Sequence, residues 1–328
     1  MLDIVGKRGW YFLVSALVIV PGLLSMIMSP GWITGDSGLK AGIDFTSGSV
    51  MNVTFSNPDI DEEDIRARLS ELGHGEALIQ RIGGSNFFIR TVVLKEAVGD
   101  APSERETIER GLEEFLGLQR DRVEFDTVSP IVAQETVRTA FYALAAASVF
   151  ILFFVWYAFR RVPKAHRYGV SAILALVHDL LIILGIFSIL GRVINLEVNS
   201  MFIVGLLIVA GYSVNDTIVV FDRIRENVSR HPDRDLAPMV NLSIMESVGR
   251  SLNTSITTLV VLLAMLFIGG NSIRELLLVL AVGAVAGTCS SIFIASQYLV
   301  MWDRGEIGRF FRRGSAAAAT SLMHLIGR

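Results

Sequence analysis

VNSMFIVGLLIVAGYSVNDTIVVFDRIREN, residues 198–227, enters as a membrane span and leaves as a charged helix end. Residues 198–215 carry no charge, and the cytoplasmic half of this run then holds Asn215 and Asp216 side by side. A carboxylate at the centre of a bilayer costs about 2.5–3.5 kcal/mol on insertion scales. Its presence there calls for a partner or a task.

The rest of the chain sets the solvent. Its 328 residues are 52% hydrophobic and 19% charged, with a mean hydropathy of +0.54, too apolar for an ordinary soluble domain. Uncharged runs cover 10–28, 139–159, 198–215, 251–273 and 276–302, and a sixth, 168–191, is interrupted only by His178 and Asp179. Each is close to the roughly 20 residues that a transmembrane helix needs. Six transmembrane helices are predicted. The first reads as an uncleaved anchor, because its apolar core is long and its exit, SMIMSPGW (25–32), has no A-x-A-like cleavage site. The single cysteine, Cys289, lies inside the last span, so no intrachain disulfide is expected.

Lysine and arginine orient the spans. The loops containing Lys7 and Arg8, 160–167, 223–250 and 304–328 hold sixteen cations, whereas the opposite short loops hold only Arg192 and Arg274. Both termini are predicted to be cytoplasmic. Trp10, Trp32, Trp156 and Trp302 all fall at span ends, as interfacial anchors do. The expected organisation is a cytoplasmic N-terminus and first helix (1–28), an exterior domain (29–137), helices 2–6 (138–302) and a cytoplasmic tail (303–328). A cytoplasmic amphipathic loop is expected over 223–250, with Met239, Leu242, Met245, Ser247 and Val248 as its apolar face. The basic residues are thus a topological signal and do not suggest nucleic-acid binding.

Segment 29–137 carries 20 acidic and 10 basic residues. A strand is predicted over 42–55, and a helix in NPDIDEEDIRARLSELG (57–73) with Ile65, Leu69 and Leu72 on one stripe. Strands 77–82 and 87–94 flank a GGSN turn. Ser103 with Glu106 reads as a capping box for a helix stopped by Gly117, and a last strand spans 122–128. The order β-α-β-β-α-β predicts a ferredoxin-like α+β exterior domain. Its only histidine is His74, it has no cysteine, and its carboxylates are scattered. We expect no catalytic residues, no metal site and no cofactor there.

Chemistry concentrates inside the membrane. His178 and Asp179 sit mid-way along the third span, Asn215 and Asp216 in the fourth, and Ser251, Asn253, Thr254, Ser255, Thr257 and Thr258 at the start of the fifth, just after Arg250. At similar depth, these groups can form one polar cluster. Intramembrane ionisable residues face the bundle interior and find partners there. Two readings of Asp216 stay open at this point. It is a proton relay that alternates between charged and neutral forms, or it is a structural group held by a buried pair with Arg250 or by hydrogen bonds to the serine and threonine hydroxyls. His178 and Asp179, with Asn253, Thr254 and Thr257, are possible supports for either. Gly283 and Gly287 form a GxxxG that continues into Thr288, Cys289, Ser290 and Ser291, read as a face for close helix packing.

Three stretches resemble the SecF family, the smaller membrane subunits of the bacterial SecD–SecF accessory complexes of Sec protein export. GYSVNDTIVVFDRIREN (211–227) resembles the family's fourth-span signature and RSLNTSITTL (250–259) the start of its fifth span. GIDFTSGSV (42–50) resembles its G-x-D-F-x-G-G segment, with Ser47 where the family pattern has glycine. The layout of one span, an exterior domain and five more spans also fits over the whole chain. The resemblance implies half of an RND-type bundle in the bacterial cytoplasmic (inner) membrane, with SecD supplying six further spans. It implies the SecYEG translocon and secretory preproteins as partners, and proton flow that supports preprotein movement without enzymatic catalysis. Carried over residue by residue, it places the relay on Asp216 and Arg250, with Asn215 alongside. An RND-type small-molecule or lipid exporter half, or a non-transporting assembly factor, are the alternative functions.

Overall fold

Among the described residues, six helices are long and apolar enough to cross a membrane: Arg8–Ile27, Pro130–Ala158, His166–Ile194, Ser200–Arg230, Leu236–Ile268 and Arg274–Asp303. They are numbered here as the first to sixth spans. The computed structural model describes residues 3–27, 38–97, 102–162, 164–270 and 273–306. Trp32 and all of the tail beyond residue 306 lie outside the described residues. The chain divides into two compact units, Met1–Lys40 with Tyr142–Arg328, and Ala41–Phe141.

The smaller unit is built on strands β1 (Gly48–Thr54), β2 (Leu78–Gly83), β3 (Asn86–Thr91) and β4 (Glu124–Val128), with helices α1 (Glu62–Glu71) and α2 (Glu104–Leu116). The sheet order is β2-β3-β1-β4, antiparallel throughout. Alternation along β1 turns Met51 and Val53 inward, where they meet Ile79, Phe87 and Ile89 and the apolar stripes Ile65–Leu69 and Ile108–Leu112 of the two helices. Asp61 caps α1, its carboxylate accepting the Glu63 and Asp64 N–H groups at 2.9 Å while Asp64 returns a bond to the Asp61 N–H. At α2 half of the expected box forms, with Ser103 Oγ accepting from the Glu106 N–H at 3.1 Å. Gly117 ends that helix with φ +70°, the left-handed cap that glycine adopts without strain.

One expectation fails at the start of this unit. The strand predicted from residue 42 begins only at Gly48, because Ile43–Thr46 winds into a helical turn closed by the Ser47 N–H on Ile43 O at 2.8 Å. Ser47 leaves that turn at φ 64°, ψ 167°, a region that is essentially reserved for glycine and costs roughly 1–3 kcal/mol elsewhere. Ser47→Gly relieves this strain against a backbone-entropy cost of about 0.5–1 kcal/mol. The expected result is a gain of about 1 kcal/mol, read as roughly fivefold slower hydrogen exchange at the β1 amides. Faster exchange would mean that the hydroxyl, not the backbone, sets the stability of the turn.

In the larger unit the third, fourth and sixth spans are the interior of the bundle. Half or more of their apolar windows are buried, against about a tenth or less for the first, second and fifth. Small residues let the central helices approach. A Cβ added at Gly205 on the fourth span would stand 2.8 Å from Val279 on the sixth, and one at Gly287 would stand 3.0 Å from Ser213 Cβ. The first span packs on the third through Gly22 and Gly185. Without a hydrophobic driving force between helices in lipid, such close contact and interhelical hydrogen bonds hold the bundle.

The amphipathic loop expected over 223–250 is replaced by two continuous helices. The fourth span runs on to Arg230, and the fifth begins at Leu236 and continues unbroken to Ile268. Ala237, Val240, Ile244, Ser247 and Ser251 form its buried stripe, while Leu242, Met245 and Val248 are only half-buried. The two helices are tied by Asn227, which donates to Ser243 Oγ at 3.0 Å and Glu246 at 2.8 Å, and by the Arg223–Glu246 ion pair at 2.7 Å. These bonds orient the segment against its own neighbour, leaving no separate surface helix.

Candidate functional site

Mid-way along the third span, Asp179 is completely buried. Its Oδ2 accepts hydrogen bonds from Ser213 Oγ on the fourth span (2.5 Å) and Ser290 Oγ on the sixth (2.6 Å). Its Oδ1 lies 3.0 Å from His178 Nδ1, and the other ring nitrogen of His178 lies 2.8 Å from Ser15 Oγ on the first span. One carboxylate therefore gathers donors from three helices, and the imidazole extends the chain to a fourth. A neutral His178 donating to Asp179 through Nδ1 can accept from Ser15, and a protonated one can donate to it, because a hydroxyl serves both roles. The histidine can thus change its charge with both ring nitrogens still bonded.

Asp216 is also buried, and its Oδ2 accepts from Ser291 Oγ at 3.0 Å. Ser290 and Ser291 are consecutive, so the two carboxylates, on different helices, are served by neighbouring hydroxyls of the sixth span. Ser213, the Asp179 partner, stands one helical turn before Asp216. The π-helical turn Ser291–Ala295 starts at this point; such turns recur at functional sites because they re-aim side chains within a helix. Thr288 on the sixth span bonds to Ser255 on the fifth, which also receives Tyr212 OH at 3.4 Å. His178 and Asp179 therefore share one hydrogen-bonded chain, and Asp216 bonds to the next hydroxyl along the sixth span.

Other residues singled out in the sequence lie elsewhere. Asn215, Arg250, Asn253, Thr254 and Thr257 are all exposed on the fourth and fifth spans. Thr254 and Thr257 return their hydroxyls to the carbonyls of Arg250 (3.0 Å) and Asn253 (2.9 Å) on their own helix. Among the described residues no ion pair joins Asp216 to Arg250, which corrects the Arg250 pairing, while the alternative of a hydroxyl partner is the one seen: Ser291 holds the Asp216 carboxyl. The single polar cluster expected from depth divides into an internal carboxylate–serine network and an open polar face. Rotation about the helix axis separates them, because adjacent residues such as Asn215 and Asp216 point about 100° apart.

Ser15 and Ser213 carry no distinguishing signal in the sequence, and Ser290 and Ser291 read there as packing residues. The signal available was their adjacency to the GxxxG. A small hydroxyl residue packs and donates equally well, so residue type does not distinguish the two uses. Among the described residues no group of three or more His, Cys, Asp or Glu side chains is arranged to hold a metal.

The family described as protein export membrane protein SecD/SecF, C-terminal, matches residues 108–305. A protein translocase subunit SecF from Thermobaculum terrenum is 39% identical over 328 residues, covering 98% of this chain and all of that protein. The chain belongs to the SecF family. A second member, from Anaerolinea thermophila, is 34% identical over 97% of this chain and 100% of its own length. Among solved structures, SecDF from Thermus thermophilus, described as a translocon-associated membrane protein, superposes over 92% of the chain with a TM-score of 0.75 at 31% identity. A second SecDF structure, in a super-membrane-facing form, covers 97% of it at a TM-score of 0.59 and 29% identity. The chain spans only 39–40% of the length of those SecDF chains. Like the relatives it matches, this SecF-family chain is a multi-pass membrane protein, a translocase subunit with an accessory role in Sec protein translocation.

Proposed function

We propose that the chain is one half of a proton-driven translocation complex, in which Asp179 and Asp216 bind and release protons as preproteins leave the cell. The observation that carries this reading is the pair of buried carboxylates on different helices, each held by neighbouring serines of the sixth span. Hydroxyls donate to a charged carboxylate and accept from a neutral one, so either state is satisfied in place. Movement of one helix against the others re-partners the acids, which is how a proton crossing is coupled to a conformational change.

The open polar face of Asn215, Arg250, Asn253, Thr254 and Thr257 supports a second six-span body as its cover, since such groups are costly against lipid. A SecD-type partner fits this need, as the SecDF structures join that length of additional chain to a body like this one. In this reading Arg250 acts from the seam, approaching the acids when the two halves move. We place both termini in the cytoplasm and the α+β unit outside the bacterial inner membrane, with the SecYEG translocon and secretory preproteins as the objects of its motion. The loop charge asymmetry supports that orientation.

The test is preprotein translocation into inverted membrane vesicles, with and without an imposed proton gradient, in vesicles lacking or resupplied with this chain and its SecD-type partner. Gradient stimulation is expected only when both are present. Equal stimulation without the chain would refute the reading. Protease added to the same vesicles should cut the 231–235 turn and spare residues 41–141.

A further inference from the structure

Gln297 on the sixth span is completely buried, and among the described residues neither Oε1 nor Nε2 of its amide has a hydrogen-bond partner. Ser171 on the third span is equally buried, and its Oγ is likewise unpartnered. Buried polar groups left without partners are rare and demand a reason, commonly an ordered water.

Their positions are related. The third and sixth spans run in opposite directions and meet at the Asp179–Ser290 hydrogen bond. Seven residues rise by roughly 10.5 Å along a helix axis. Seven beyond Ser290 is Gln297; seven before Asp179 is Ala172, next to Ser171. The two orphaned groups therefore lie at one level, two turns from the carboxylate, on helices already in register.

The same level adjoins an opening to water. Leu299, two residues past Gln297, and Tyr168, one turn before Ser171, line a cavity of about 260 Å³, whose polar residues include Lys164, Arg167, Arg234 and Asp303. Between Gln297 and the carboxylates the sixth span makes its π turn, where Ser296 Oγ reaches back five residues to Ser291 O at 3.0 Å. A loosened ladder of this kind offers backbone polar groups along the way.

We propose that Gln297 and Ser171 bind water, and that this water begins a short file linking the cavity to the Asp179–Ser290 contact. A water between them donates to Gln297 Oε1 and accepts from Nε2 or from the Ser171 hydroxyl. At about 2.8 Å per hydrogen bond, some three or four waters bridge the ~10.5 Å to Asp179. A proton entering from the cavity makes the first water a hydronium ion. The file then delivers a proton to the Asp179 carboxylate, and each water is restored; release runs in reverse. Only O–H bonds form and break, and Gln297 positions the water without itself titrating. The proposal rests on the proton-relay reading above and adds its route.

The test uses Gln297→Leu, close in volume and apolar, in the intact complex in membrane vesicles. Folding and insertion are expected to be at least as stable as wild type, while gradient-stimulated translocation falls about tenfold and translocation without a gradient is unchanged. Ser171→Ala, which removes one hydroxyl, should lower the gradient response about threefold. A high-resolution map of the wild-type complex should show water density within about 3.2 Å of the Gln297 amide, lost in Gln297→Leu. A full gradient response in Gln297→Leu while Asp216→Asn loses it would overturn the water route and leave the relay intact. Full responses in both variants would overturn the relay and the route together. Lower thermal stability in Gln297→Leu with no water density in the wild type would mean that Gln297 and Ser171 bond directly, which also rejects the route.

Discussion

Asp216→Asn is expected to reduce gradient-stimulated preprotein translocation at least tenfold, to near the level without a gradient, while changing stability by less than about 1 kcal/mol. The amide keeps the shape of the carboxyl and can still accept from Ser291, the hydrogen bond that holds Asp216 at 3.0 Å. A single neutral hydrogen bond is worth about 0.5–1.5 kcal/mol net, so little stability is at risk. Were Asp216 paired with Arg250, the same change would strand a buried cation at a cost of about 3–5 kcal/mol. The exposed position of Arg250 removes that penalty. What the variant loses is a titratable group: each charge moved through 100 mV supplies about 2.3 kcal/mol, close to a fiftyfold bias on a conformational equilibrium. Translocation in vesicles at matched expression, with and without a gradient, measures the first effect, and thermal unfolding in lipid measures the second. A folded variant that keeps the full gradient response would reduce Asp216 to a packing residue.

Asp179→Ala, by contrast, is expected to loosen the bundle itself, by about 3 kcal/mol. Removing this completely buried carboxyl orphans Ser213, Ser290 and His178 at once, three groups on three helices. Each stranded donor costs about 1–3 kcal/mol. Ser290 recovers part of that through its bond to Gly287 O at 3.2 Å. Asp179→Asn should lose only about 1 kcal/mol, because serine hydroxyls can turn to accept from the new amide. Thermal unfolding in lipid nanodiscs should therefore rank wild type above Asn and Asn above Ala. Equal stability of all three proteins would mean that the serines find other partners and that Asp179 does not organise the helices.

The two aspartates differ in how far the sequence exposes their roles. Asp216 stands out because its neighbours to 215 are uncharged, and Asp179 because it interrupts a run that is otherwise free of charge. Both are one-dimensional anomalies, legible from residue type and span length alone. The exterior unit was similarly legible where periodicity was strong, as in Ile65–Leu69 and the hairpin around GGSN. It was misread at 42–47, where Ile43–Thr46 winds into a helical turn that ends at Ser47 and Gly48, both at positive φ. Residues 239–252 misled for another reason. A helix with one apolar stripe looks the same whether it lies on a membrane surface or packs on a neighbouring helix, and only the Asn227 and Arg223 bonds choose between these.

Hydropathy, loop charge and three motifs were enough for the number of spans, the expected orientation and the family. These properties are sums over many residues, and a bilayer imposes the same requirement on every span. Which polar groups meet was decided only in the tertiary structure. It separated Asn215 from Asp216 by the rotation of one residue, left Arg250 exposed in this chain, and joined Ser15, Ser213, Ser290 and Ser291 to the acids. Partnership of this kind depends on helix rotation and register across the bundle, set by glycine contacts as close as Gly287 on Ser213. A shift of one residue along a helix turns its side chains by about 100°, so no pattern within a single span could have specified the network.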